Sequence, residues 1–214
     1  MSLFLRLRSE ILKILGYLVP VFQSMPSLGV WIGVMTVPLI SYLVILIISF
    51  PVSFPSAIEY FFTNWFSPWY AITIIGCLIL IYCILYKYIR KKEGFVRTGP
   101  YRWVRHPQYL AIILSTIGLT AWSYWLTYTD GPVFLGPSGT IVLWFVQLFA
   151  YVLIAKIEEI HLSSTFKEAY KDYRNQVPYL IPFLRTSREY IDIIVSILLL
   201  ACLLFGFIII LPKY

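Results

Sequence analysis

Hydrophobic residues run along this chain in long uncharged blocks, not in short alternating or heptad-spaced groups. Four blocks, over 30–50, 69–86, 108–126 and 193–211, are long enough to cross a bilayer core, which takes about 20 helical residues. A fifth, over 140–155, is shorter but can extend at both ends. Gly33 and Pro38 predict a kink in the first block, where neighbouring helices can satisfy the freed backbone groups. Ahead of it, Leu3, Leu7, Ile11, Ile14, Leu15 and Leu18 share one helical face, and Arg6, Glu10 and Lys13 share another. That pattern predicts a helix lying in the interface, with topology anchoring as its plainest role. The expected architecture is an all-α integral membrane protein. It has about five transmembrane helices, an N-terminal interfacial helix and a cytoplasmic amphipathic segment toward the C-terminal side, in one membrane domain over 1–214.

Composition agrees with a bilayer as solvent. Of 214 residues, 60% are hydrophobic and 13% charged, with mean hydropathy +0.81, more apolar surface than a soluble domain can hide. The net charge of +7 would suggest nucleic acid in a soluble protein. Here the basic residues fall between the blocks, which assigns them to topology and anionic headgroups instead. With a cytoplasmic N-terminus and five crossings, sixteen of the seventeen basic residues lie inside and only Lys213 lies outside. That asymmetry orients the chain. Trp65, Trp69, Trp122, Trp125 and Tyr128 mark the outer boundary as an aromatic belt. Arg6, Arg8, Glu10 and Lys13 interrupt any signal-peptide core. Cys77, Cys83 and Cys202 form no CxxC pair and no zinc pattern; no metal site is expected.

Two basic segments, 87–107 and 156–188, fall on the same predicted face and can meet. The first holds Tyr101, Arg105, His106, Pro107 and Tyr109. Pro107 suits the first turn of a span, because its missing N–H is an orphan there anyway. Arg105 and His106 then sit at that helix's N-terminus, where amide groups and the dipole favour an anion. Arginine adds a planar fork for carboxylate or phosphate. A proline-started topology connector fits the same residues equally well. The second segment carries Glu158 and Glu159 at the end of a crossing, where buried acids need partners. Leu162, Phe166, Tyr170 and Tyr173 recur beyond them at helical spacing and predict one face, either a plain core stripe or a binding surface. Glu158 and His161 form a single Glu-x-x-His, which would have to occur twice to make a di-iron site. No GxGxxG opens a soluble nucleotide-binding unit.

Together these residues resemble the membrane methyltransferases that include isoprenylcysteine carboxyl methyltransferases and phospholipid N-methyltransferases. The first signature, Gly-Pro-Tyr-x-x-x-Arg-His-Pro-x-Tyr, is reproduced from Gly99 to Tyr109. The second appears as Glu158-Glu159-Ile160-His161-Leu162, then Phe166, Tyr170 and Tyr173, then Val177-Pro178 and Ile181-Pro182. The resemblance covers about 94–182, a family-like core. Lys167 stands where the family usually has Gly, so the turn or close approach there is expected to differ. A further span over 190–212 follows the family-like part.

The resemblance implies an S-adenosyl-L-methionine pocket made by both motifs and closed toward the cytosol. It implies Tyr101, His106, Pro107 and Tyr109 at the start of the third span, and Glu158 or Glu159 on the cofactor's amino group or ribose. Tyr170 and Tyr173 would cover the sulfonium and adenine. Arg105 and Arg174 would orient an anionic acceptor. The implied partner is a lipid-like methyl acceptor entering from the surrounding membrane lipids, with no nucleic acid. Carboxyl methylation of an isoprenylcysteine is the preferred reaction. Phospholipid amines and hydrophobic thiols are alternatives, with Glu158, Glu159 or His161 then as candidate bases. A different class, a non-catalytic membrane protein or small carrier, would use the basic loops only for topology.

Overall fold

The computed structural model describes residues 28–50, 54–63, 66–90, 95–130, 134–185 and 188–210. Within them the chain is helical, with no strand. The helices are α1 (Leu28–Ile48), α2 (Phe54–Thr63), α3 (Pro68–Ile89), α4 (Pro107–Asp130), α5 (Pro137–Gln176) and α6 (Glu189–Ile210), and a 3₁₀ turn occupies Gly99–Arg102. Four helices, α3 to α6, are long and apolar enough to cross a membrane, and Gly33–Ile48 is a shorter apolar helix within α1. The chain is therefore a multi-pass membrane protein. The expected interfacial helix, and Trp65 of the expected belt, lie outside the described residues.

α3, α4 and α5 each start with proline, which presets the helical φ and forfeits only an orphan N–H. α4 is the central helix: 72% of its apolar window is buried, against 17% for α3 and 28% for α6. Large apolar side chains such as Val37, Ile75, Leu78 and Leu198 stay exposed on the outer helices. In a bilayer these face lipid, where exposed apolar surface carries no penalty. α3 lies closest to α4 because small residues permit it. A Cβ on Gly76 would meet Ser115 and Ala111, and one on Gly118 would meet Thr73 and the Trp69 carbonyl. The hydroxyl of Thr73 donates to the carbonyls of Trp69 and Ser115 at 2.8 and 3.2 Å, closing the seam with an interhelical bond. α1 joins the core through Tyr42, whose hydroxyl lies 2.7 Å from Thr120 Oγ1, and through Tyr151, which donates to the Met35 carbonyl at 2.9 Å.

Two sequence expectations change. The connection between the first two blocks, 51–68, contains α2, a ten-residue helix. The short span over 140–155 continues as helix through both carboxylates to Lys167, where a kink separates it from a second helical stretch; α5 covers the two. From Pro137 to Glu158 is about 30 Å at 1.5 Å per residue, one hydrocarbon thickness. A helix entering the bilayer at Pro137 would therefore bring the two carboxylates to the opposite boundary. The helix bends at Lys167, which takes φ 41° and ψ −115°. That is a glycine-type backbone held by a lysine. The expectation that replacing Gly would alter this turn is thus qualified: the glycine-type conformation is present regardless.

Candidate functional site

The site forms where the start of α4 meets α5 one bilayer thickness along its length. Gly99 begins the 3₁₀ turn with φ 60°, and a Cβ there would strike the Tyr86 ring. Glycine is required on both counts. Tyr86 donates to Thr98 Oγ1 at 2.8 Å, fixing the turn against α3. The turn delivers Arg105 and His106 to the N-terminus of α4, both buried. The Arg105 amide donates to the Pro178 carbonyl at 2.9 Å, so the Val177-Pro178 segment is tied directly to the first motif.

Charge is concentrated here and paired. Arg105 Nη1 donates to Glu159 Oε1 at 2.6 Å and to Glu189 Oε1 at 3.0 Å. Lys156 Nζ reaches Glu159 Oε2 at 2.8 Å and Glu189 Oε1 at 2.7 Å. Glu158 is held by Lys87 at 3.1 Å and accepts from the Tyr109 hydroxyl at 2.9 Å. His106 lies between the acids, Nε2 at 3.3 Å from Glu159 and Nδ1 at 3.6 Å from Glu158. Pairing of this density is what makes two buried carboxylates tolerable. Burial works against charge on His106, but both carboxylates prevail and its pKa lies above the usual imidazole value. For Arg105, burial likewise opposes the cation and Glu159 and Glu189 hold its pKa up.

Aromatic rings wrap this cluster. Tyr179 lies under Arg105 and Lys156, with cations 5.2 and 4.8 Å from its ring centre. His106 stacks on Tyr109 at 5.4 Å and meets the edge of Tyr179 at 5.4 Å. Beyond the Lys167 bend, Tyr170, Tyr173 and Val177 pack with Phe95, Leu162 and Phe166. Tyr173 donates to the Tyr101 carbonyl at 2.7 Å, linking the two motifs a second time.

Each residue singled out from the sequence has a definite place. Tyr101, Arg105, His106, Pro107, Tyr109, Glu158, Glu159, Tyr170 and Tyr173 converge on this junction and are buried. Arg174 is exposed and shares a pocket with Arg105. His161 lies half-buried nearly one turn past Glu158. Sequence reasoning missed Lys87, Lys156, Tyr179 and Glu189. The two lysines were counted as topology charges, although the acids' need for partners pointed to nearby cations. Tyr179 directly follows the Val-Pro pair, and Glu189 opens the helix beyond the family-like segment.

Residues 69–129 match the model of the isoprenylcysteine carboxyl methyltransferase (ICMT) family. That stretch takes in α3, the 3₁₀ turn and nearly all of α4, and so the whole first motif; the carboxylates of α5 lie beyond it. The chain is 29% identical over 132 residues to Protein-S-isoprenylcysteine O-methyltransferase of Saccharomyces cerevisiae, covering 52% of this chain and 49% of that protein. It is 30% identical over 108 residues to cobalt-zinc-cadmium resistance protein CzcN of Cupriavidus metallidurans, covering 50% of this chain and 44% of that one. The chain spans about half the length of the curated relatives it matches. No solved structure matches it. The family match and the yeast relative support the resemblance carried by the two motifs, to isoprenylcysteine carboxyl methyltransferases.

Proposed function

We propose that this protein is a membrane-embedded, S-adenosyl-L-methionine-dependent methyltransferase acting at the cytoplasmic face on the carboxylate of an isoprenylcysteine-type lipid acceptor. The observation that carries this reading is the joining of Arg105–His106 from the first motif to Glu158–Glu159 from the second, through hydrogen bonds of 2.6 and 3.3 Å to Glu159 and an ion-pair contact of 3.6 Å to Glu158. The name of the yeast relative supports the acceptor class.

The residues present fit the cofactor. Around the two carboxylates, the buried Tyr101 and Tyr170 hydroxyls have no hydrogen-bond partner among the described residues. Buried polar atoms normally have one, so these are available to ribose, amino and base groups. The faces of Phe95, Phe166, Tyr170 and Tyr173 suit a cation and an adenine. Glu158 and Glu159 would hold the amino group or ribose, with Lys87 and Lys156 yielding part of their present pairing. When bound, the cofactor supplies a methyl group on a positively charged sulfur.

The chain then has to position, not to activate. A carboxylate is already an anionic nucleophile, so no side chain must remove a proton. Arg105 and Arg174 line one pocket and would hold the acceptor's carboxylate in line for displacement. Arg105 is already engaged by Glu159 and Glu189, so its fork steers an incoming anion without neutralising it fully. Joining an anion and a cation into neutral products is favoured where water is excluded. The lipid tail would enter sideways between helices while its head meets the site at the boundary.

The experiment is calorimetry with S-adenosylhomocysteine in detergent, then a labelled-methyl screen over prenylcysteines, phospholipids and thiols. Micromolar affinity, about −8 kcal/mol, is expected, weakened by His106→Ala and by Glu159→Ala. Arg174→Ala should lower kcat/KM for a prenylcysteine by about one to two orders of magnitude while leaving cofactor affinity nearly unchanged. No binding to folded wild-type protein would reject the enzyme class. Methylation of amines or thiols with none of prenylcysteine would reject the carboxyl assignment alone.

A further inference from the structure

Two cations and two carboxylates close a ring of alternating charge where the start of α4 meets α5 and α6. Arg105 Nη1 reaches Glu159 Oε1 at 2.6 Å and Glu189 Oε1 at 3.0 Å. Lys156 Nζ reaches Glu159 Oε2 at 2.8 Å and Glu189 Oε1 at 2.7 Å. Both cations lie over the Tyr179 ring. Glu189 thus gives a second carboxylate to each cation that already serves Glu159. It stands in the first turn of α6, outside both motifs and outside the matched stretch 69–129.

The two cations differ in freedom. The Arg105 side chain is 3% exposed and that of Lys156 is 24% exposed. Arg105 is walled in, while Lys156 rides on a flexible stem partly open to solvent. An ammonium carries three donors and can serve two acids at once. A ligand donor arriving at Glu159 Oε2 must displace Lys156. A displaced ammonium left partly buried without a carboxylate is costly. Glu189 removes that cost, because its oxygen already touches Lys156, which can then release Glu159 and keep a carboxylate. We propose that Glu189 is a positioning residue that takes over Lys156 when the methyl donor occupies Glu159. Within the methyltransferase reading, on which this role rests, α6 is then part of the binding machinery.

Equilibrium binding of S-adenosylhomocysteine to the whole chain in detergent tests this through a double-mutant cycle. Glu189→Gln should weaken binding by about tenfold, the scale of one charge-assisted contact, because Lys156 then has Glu159 alone to hold. Lys156→Gln should bind at least as tightly as wild type, because the competing cation is gone. In the Lys156→Gln background, Glu189→Gln should change affinity by less than about twofold. Glu189→Asp keeps the charge and should keep most of the affinity. Should Glu189→Gln fold poorly, Glu189→Ser, which suits a helix N-terminus, carries the cycle in its place.

A merely structural Glu189 would shift the melting temperature without this dependence on Lys156, and a long-range field effect would persist with Lys156 removed. The same cycle with 5′-methylthioadenosine, which has the ribose but no amino-acid end, tells which donor reaches Glu159. Sensitivity of both ligands to Glu189→Gln marks the ribose, and of S-adenosylhomocysteine alone the amino group. Unchanged affinity in Glu189→Gln, or an equal loss with and without Lys156, would overturn the role of Glu189 and leave the methyltransferase reading intact. No binding to folded wild-type protein would reject that reading, and the role of Glu189 with it.

Discussion

His106 shows how much of the site rests on single side chains. It sits between Glu158 and Glu159, touches the rings of Tyr109 and Tyr179, and is buried beside Arg105. Its raised pKa stabilises the fold below the unfolded-state value of about 6.5, and that contribution is lost as pH rises through the higher folded value. A cationic ligand must compete with the imidazolium proton. Affinity for S-adenosylmethionine should therefore rise with pH near neutrality, by up to about tenfold per unit. The uncharged thioether of S-adenosylhomocysteine should give a shallower slope, and His106→Gln should flatten the first. Calorimetry from pH 6 to 9 checks this. Lys167 makes a separate prediction. Its φ of 41° strains a lysine but not a glycine, so Lys167→Gly should stabilise the protein by about 1 kcal/mol. A thermal midpoint a few degrees higher would register it. Residues of this kind were only partly legible in the sequence. Arg105, His106, Glu158 and Glu159 stand out because charged side chains flank greasy spans. Lys87 and Lys156 did not, because a lysine at a helix end reads as a topology signal until its carboxylate, 71 residues away in one case, is seen beside it.

Elements were more legible than their joints. The blocks over 69–86, 108–126 and 193–211 became α3, α4 and α6, since length and apolarity decide a crossing. α2 escaped notice because its ten residues are too few to cross a bilayer, although Ser56, Glu59 and Thr63 recur in it at helical spacing. α5 was read as two pieces because composition changes at Lys156. The backbone ladder is indifferent to that change and continues to the bend at Lys167. The α3–α4 seam could not be foreseen either, because a glycine in a span carries no mark of what lies opposite. It has a sharp consequence: Gly118→Val would drive a side chain into Thr73 and the Trp69 backbone. We expect a loss of about 1–3 kcal/mol, the scale of overpacking. The readout is a lower melting temperature in detergent. An equal insertion at Gly206, which has nothing within 4 Å, should be nearly silent.

At the scale of the molecule, the charge asymmetry predicts that the site faces the cytoplasm. With Cys77, Cys83 and Cys202 replaced, a cysteine at Phe134, exposed between α4 and α5, should react with an impermeant reagent on intact cells. One at Arg90, exposed at the end of α3, should react only after permeabilisation. The opposite pattern would invert the orientation.

The stretch of α5 ahead of the Lys167 bend links the site to the membrane itself. Glu158 and Glu159 are carried on an unbroken helical rod about 30 Å along from Pro137, its other end. The rod cannot shorten when the bilayer does. In a thinner membrane the carboxylates are pushed outward or the helix tilts, and in a thicker one they sink toward the acyl chains. We therefore expect the site to respond to bilayer thickness. Its turnover in liposomes should pass through an optimum as phosphatidylcholine chains lengthen from 14 to 22 carbons. Sterols, or a change of organelle, would set the working rate through thickness alone.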